Sequence, residues 1–211
     1  MILMLADTLA KEAAGQNLLA IFFAAAITDN ILLTRFLGMC SFLSISSQMR
    51  ASIGLGLAVI FVTACTGAIN AALYWFVLIP LERYGVPASS LQLILFIVVI
   101  AAFVQLLEMV IERVSLGLYF ALGVFLPLIT VNCAILGANL FLINKNLTVF
   151  EGFVYSAGAG AGWAVAIILM AGIRIRLKTA RIPAALEGPG ITLIICGIMA
   201  LAFIGLSGLI K

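Results

Sequence analysis

Histidine is absent from this 211-residue chain. With it go histidine-ligated haem, most catalytic zinc sites and the commonest general base. Charge is scarce too: 9% of the residues are Asp, Glu, Lys or Arg, against 65% hydrophobic, whereas soluble domains are about a quarter charged and about half apolar. That imbalance, with a mean hydropathy of +1.33, excludes an ordinary soluble domain and marks an integral membrane protein. The basic residues are too few and scattered for a nucleic-acid surface, so no nucleic-acid partner is expected. Their one group, Arg174, Arg176, Lys178 and Arg181, reads as an anchor at one membrane face. The stretch from Met1 to Gln16 carries Asp7, Lys11 and Glu12 and lacks the basic start, apolar core and cleavage site of a signal peptide, so it reads as mature sequence. Any metal has to look to cysteine or carboxylate for ligands.

Apolar runs fall at about 17–45, 53–80, 90–111, 117–143, 152–173 and 188–210, each bounded by charge, Pro or Gly. A hydrocarbon core of about 30 Å needs about 20 such residues per helix, which predicts an all-α protein with six transmembrane helices in a single membrane domain, 1–211. The positive-inside rule puts the loop from Arg174 to Arg181 in the cytoplasm with Arg50 and Arg113. Arg83, Lys145 and both termini then lie outside a bacterial inner membrane. The first run is too long for one span, over about 40 Å if helical throughout, and it contains Asp29, Asn30 and Arg35; the fourth carries Pro127, Thr130, Asn132 and Asn139. Both helices are expected to be broken, and irregular backbone survives at membrane depth only when buried in protein or lining a cavity. Divided into halves at about 17–115 and 116–211, the chain has a broken helix at the head of each, followed by SIGLGLA at 52–58 in one and SAGAGAG at 156–162 in the other. Three helices per half is an odd number, so the halves enter the membrane in opposite senses as an inverted repeat.

A cysteine in a membrane helix is ordinarily a small inert apolar residue, and Cys65 and Cys196, inside smooth runs with no counterparts in the other half, are read that way. Cys40, in LGMCSFL, and Cys133, in TVNCAIL, occupy matched places beside the two breaks. Thiolates converging there suit a soft metal, iron–sulfur or zinc. Two thiolates are half of a four-cysteine site, and the other half comes from a partner subunit of the same design or from Cys65 and Cys196. A centre at the midplane would divide a hydrocarbon layer of about 30 Å into two shorter electron hops. Asp29 and Arg35 are functional-site candidates as intramembrane charges, against a helix-end location or mutual pairing. Gln105, Glu108 and Glu112 share a helical face, and an ion-linked role for Glu108 stands against an interfacial one. The glycines form no phosphate loop, since no strand precedes them. Gly158 and Gly162, four apart, read as a close helix-packing face.

The stretches NILLTRFLGMCSFL, LFIVVIAAFVQLLEMVIERVS, LYFALGVFLPLITVNCAILGA, GAGAGWAVAI and ITLIICGIMALAFIGLSGL closely resemble one family of membrane subunits. That family includes the E subunit of the sodium-translocating NADH:quinone oxidoreductase and the A subunit of the Rnf complex. The LFIVVIAAF and GAGAGW segments look more like the quinone-reducing complex. This resemblance implies six helices in inverted halves and a pairing with a homologous, oppositely inserted subunit of the D type. It further implies one intramembrane 2Fe-2S cluster shared between the two, to which this chain gives Cys40 and Cys133. The chain alone would catalyse nothing; NADH, ubiquinone and flavins belong to other subunits, and electron passage is coupled to Na+ transport. The alternatives are an Rnf-type subunit of a ferredoxin:NAD oxidoreductase, a secondary transporter of inverted-repeat design that needs no cysteines, and an electron-inert assembly subunit. The orientation has a direct check: cysteines introduced beside Lys145 should react with an impermeant thiol reagent in intact cells, and cysteines beside Lys178 only after permeabilisation. The reverse pattern inverts the topology.

Overall fold

A computed structural model describes residues 18–82, 88–114, 126–180, 183, 186 and 188–207. Arg83, Arg181, the N-terminal tail and the join between the two expected halves lie outside the described residues. All regular structure among the described residues is helical. Helix α1 is Leu18–Phe23 continued by a π turn at Ala24–Thr28, α2 is Met39–Ile45, and α3 is Met49–Leu73 continued through a π turn at Tyr74–Leu78 to Glu82. There follow α4 (Ala88–Val114), α5 (Leu126–Thr130), α6 (Cys133–Asn144), α7 (Val149–Leu177) and α8 (Pro189–Ser207). Three stretches, Met49–Leu81, Leu91–Arg113 and Val149–Leu177, are long and apolar enough to cross a bilayer, and Leu18–Thr28, Leu128–Asn144 and Pro189–Gly205 are shorter apolar stretches, the second interrupted at 131–132. Leu93, Ile94, Ile97, Val98, Leu106 and Val110 lie exposed along α4, a run of apolar surface that water-soluble proteins rarely tolerate.

The centre is the pair α3 and α7, brought close by small residues. A Cβ placed on Gly56 would meet the Ala164 Cβ at 3.1 Å, and one on Gly160 would stand 2.9 Å from the Ile60 Cα. Farther along, Gly67 abuts Ser156 and Gly152 abuts Ala71. As one number rises the other falls, so the two helices run antiparallel. Side-chain hydroxyls on α3 turn inward onto their own helix, Thr63 to the Val59 carbonyl at 2.6 Å and Thr66 to the Val62 carbonyl at 2.7 Å, which removes the cost of an unpaired polar group in an apolar core. Trp163, Phe42, Leu33, Leu55, Ile135 and Ile167 fill the interior.

Gly158 and Gly162 do form a packing face, and what they receive is α1: a Cβ on Gly158 would lie 2.6 Å from the Phe22 carbonyl oxygen, and one on Gly162 would overlap the backbone of Ala26. Both partners advance by four, so α1 runs in the same direction as α7. At the end of α1 the buried Asn30 closes four backbone groups at once. Its amide nitrogen donates to the Ala26 carbonyl at 3.1 Å and to the Gly162 carbonyl at 2.8 Å, while its oxygen accepts from the amides of Leu32 and Leu33. The non-helical stretch 29–38 is thereby supported from within, and it lies antiparallel along α6. Asp29 meets Lys145, Arg35 stands over the Phe141 ring, and Ile31 and Leu37 close on Gly137. The second break falls at Val131 and Asn132, after Pro127 rather than at it.

Gly162→Val should therefore force α1 off α7. Overpacking costs about 1–3 kcal/mol or more, so the assembled protein should lose thermal stability measurably in detergent. Gly172→Ala is the control, because its Cβ would find only the Met49 methyl at 3.8 Å.

Candidate metal centre

The two cysteine segments meet where the breaks meet. Helix α6 begins at Cys133 because Asn132 caps it: Asn132 is extended, at φ −74° and ψ 112°, and its side-chain oxygen accepts the Ala134 amide at 3.0 Å. The same side chain donates to Ser41 Oγ at 3.4 Å, and Ser41 donates to the Gly38 carbonyl at 3.2 Å. Across this contact the Gly38 amide donates to Cys133 Sγ at 2.8 Å. Gly38 is the residue that opens α2, and it does so in the left-handed region at φ +83°, where only glycine is free of a Cβ penalty. Cys40 follows two residues later on the exposed side of α2, while Cys133 is half-buried.

The electrostatics are those of oriented dipoles. Cys133 is the first residue of the twelve-residue helix α6, at the positive end of that helix's dipole. At the other end of α2, the Arg174 guanidinium donates to the Leu43 carbonyl at 3.0 Å and to Ser46 Oγ at 2.8 Å, a cation closing a helix C-terminus. Beneath Gly38 lies Trp163, wholly buried, its indole nitrogen without a hydrogen-bond partner.

The remaining candidates separate clearly. Cys65 is half-buried within α3, and Cys196 is buried. Yet Cys196 is not remote from the site: its sulfur lies 3.8 Å from the sulfur of Met39, the neighbour of Cys40. Asp29 and Arg35 resolve as an ion pair at 3.9 Å, joined by Lys145 at 2.7 Å, with all three partly exposed. That is the mutual-pairing reading of these charges. Glu108 is half-buried on α4, with Gln105 and Glu112 exposed. Among the described residues, no three Cys, Asp or Glu side chains gather closely enough to hold a metal ion. Sequence reasoning missed Gly38 and Trp163. The only signal for either was its place, beside a cysteine in one case and at the end of the SAGAGAG run in the other.

Known proteins share this sequence along most of its length. Residues 18–210 match the family described as Rnf-Nqr subunit, membrane protein. The chain is 48% identical over 200 residues to the E subunit of the Na(+)-translocating NADH-quinone reductase of Chlamydia trachomatis serovar L2, covering 92% of this chain and 82% of that protein. It is 48% identical over 199 residues to the protein of the same name from Hahella chejuensis, and 45% identical over 199 residues to that from Psychromonas ingrahamii. Each of these alignments covers 92% of this chain and 98% of the relative.

Asn132 gives this site a test of its own. Loss of an N-cap costs about 0.5–2 kcal/mol, so Asn132→Ala should lower the thermal midpoint of the assembled protein, and Asn132→Ser, which keeps an accepting oxygen without burying a charge, should recover part of the loss.

Proposed function

The chain belongs to the Rnf-Nqr family of membrane subunits, and from that premise we propose that it uses Cys40 and Cys133 to hold half of an intramembrane 2Fe-2S centre through which the complex passes electrons across the bilayer. It is a membrane subunit of a Na+-translocating NADH-quinone reductase, the name carried by its relatives at 45–48% identity. Those names favour the NADH-quinone reductase over the Rnf complex. The single observation that carries the cysteine assignment is the hydrogen bond from the Gly38 amide to Cys133 Sγ. It joins the two broken segments at a sulfur, where a merely packed thiol needs no donor.

The residues fit the group. An iron–sulfur centre takes four thiolates; this chain offers one half-buried and one exposed thiol at adjacent breaks, and no third metal-binding side chain joins them among the described residues. The exposed position of Cys40 leaves the other two ligands to a neighbouring subunit, in this reading the homologous one inserted in the opposite sense. When bound, such a centre supplies one-electron transfer. The chain's own part is to place the sulfurs and to offset charge on Cys133 with the Gly38 amide and the start of α6.

Support for the inverted repeat lies in α3 and α7. A fixed sequence offset that carries Gly56 to Gly160 also carries Ile60 to Ala164. The contacts observed are Gly56 with Ala164 and Ile60 with Gly160, so the matched small-residue runs at 52–58 and 156–162 face each other on antiparallel helices, the arrangement an inverted repeat calls for. Six crossings in two inverted halves within one membrane domain, a cytoplasmic 174–181 loop and the inner membrane complete the reading.

Replacing either ligand should have nearly the effect of replacing both. Cys40→Ala and Cys133→Ala should each give an assembled complex that has lost the intramembrane iron and no longer reduces acceptors on the far face, while cofactors upstream still reduce. Cys65→Ala should retain iron. Iron stoichiometry with rapid-mixing reduction kinetics measures both, and normal iron in Cys40→Ala or Cys133→Ala would overturn the ligand assignment.

A further inference from the structure

Resting on the reading that Cys133 is a ligand, we propose that Gly38 and Trp163 are positioning residues that set the reduction potential of the centre by aiming the Gly38 amide at the Cys133 sulfur. The amide donates at 2.8 Å. It does so from a residue at φ +83°, and a Cβ added there would stand 2.5 Å from Trp163 Nε1, 3.0 Å from the Ala134 Cβ and 3.1 Å from Asn132 Oδ1. Two independent constraints therefore reserve position 38 for glycine: the left-handed backbone and the indole wedged beneath it.

Trp163 has no exposed surface, and its Nε1 is a buried donor with no partner. Such a group is destabilising, a cost that a phenylalanine ring at the same place would not incur. What the indole supplies is bulk against Gly38 on the side where a Cβ would stand, which holds the backbone that carries the amide.

The chemical consequence follows from charge. On one-electron reduction the centre becomes more negative by one unit, with no bond made or broken and no proton moved. A fixed N–H donor on a ligand sulfur stabilises the more negative state more, so it raises the potential, and hydrogen bonds to the sulfurs are among the factors that set iron–sulfur potentials. Losing the donor makes the centre harder to reduce.

The test is an equilibrium redox titration of the intramembrane iron signal in the assembled complex, with iron content measured on the same samples. Gly38→Ala should keep its iron while its reduction equilibrium constant falls about tenfold, which is 59 mV to the negative for one electron. Trp163→Phe alone should keep its iron and shift the potential in the same direction by a smaller amount, since the smaller ring leaves Gly38 room to relax. An iron-replete Gly38→Ala complex with an unshifted potential, or an iron-replete Trp163→Phe complex at the unsubstituted potential, overturns the proposal. If Gly38→Ala does not assemble, the unsubstituted complex labelled with nitrogen-15 glycine decides. Pulsed EPR of the reduced centre should then show a nitrogen-15 coupling that is missing from the same complex prepared with unlabelled glycine, and its absence overturns the proposal equally. No iron in the unsubstituted complex would instead overturn the underlying ligand assignment, and the proposal with it.

Discussion

A hydrocarbon interior offers no hydrogen bonds, so each backbone amide and carbonyl that leaves a helix at membrane depth must find a partner in the protein itself. The arrangement of this chain around its two breaks is an answer to that demand. Asn30 takes charge of the end of α1 and the turn beyond it, reaching across to the Gly162 carbonyl. Asn132 caps α6 and reaches back to Ser41. Arg174 closes the last turn of α2. Each of these side chains ties one broken segment to a different element, so the breaks are fixed in place by the groups that make them tolerable. The small residues of α7 serve the same end, because only a helix without side chains at Gly158 and Gly162 lets the backbone of α1 come close enough for Asn30 to span the gap.

Asp29 and Lys145 meet at the ends of the stretch 29–38 and of α6 that lie away from the cysteines in sequence, and Arg35, five residues before Cys40, joins them in a partly exposed group. Partly exposed pairs of this kind contribute little stability. No acidic residue, and no basic one besides Arg35, lies between Asn30 and Ser41 or between Asn132 and Asn144. What meets the Cys133 sulfur instead is an oriented N–H group, that of Gly38, and such a dipole avoids the desolvation that a full cation would suffer.

Much of this was legible in the sequence because it was periodic or compositional. Membrane character, helicity and the two interruptions followed from hydropathy and from Asp29, Asn30, Asn132 and Pro127. The packing role of Gly158 and Gly162 followed from their spacing, although spacing could not say that they receive the short helix α1 and not another long one. Pro127 drew attention to the right segment for an incomplete reason, since the chain leaves the helix only after Thr130, at the residue whose side chain caps the next one. Long-range contacts left no local trace. Trp163 under Gly38 and Cys196 beside Met39 join positions far apart in the chain through packing alone, and no periodicity encodes them.

The central claim is that this chain contributes thiolate ligands to iron inside the bilayer. It is tested most directly by iron-edge X-ray absorption and acid-labile sulfide on the membrane subunits, purified together and stripped of the peripheral ones. The account predicts iron and sulfide in equal amounts, with iron in an all-sulfur first shell and a short iron–iron vector. Membrane subunits that remain intact yet hold no iron, or hold iron bound by oxygen and nitrogen, would contradict it.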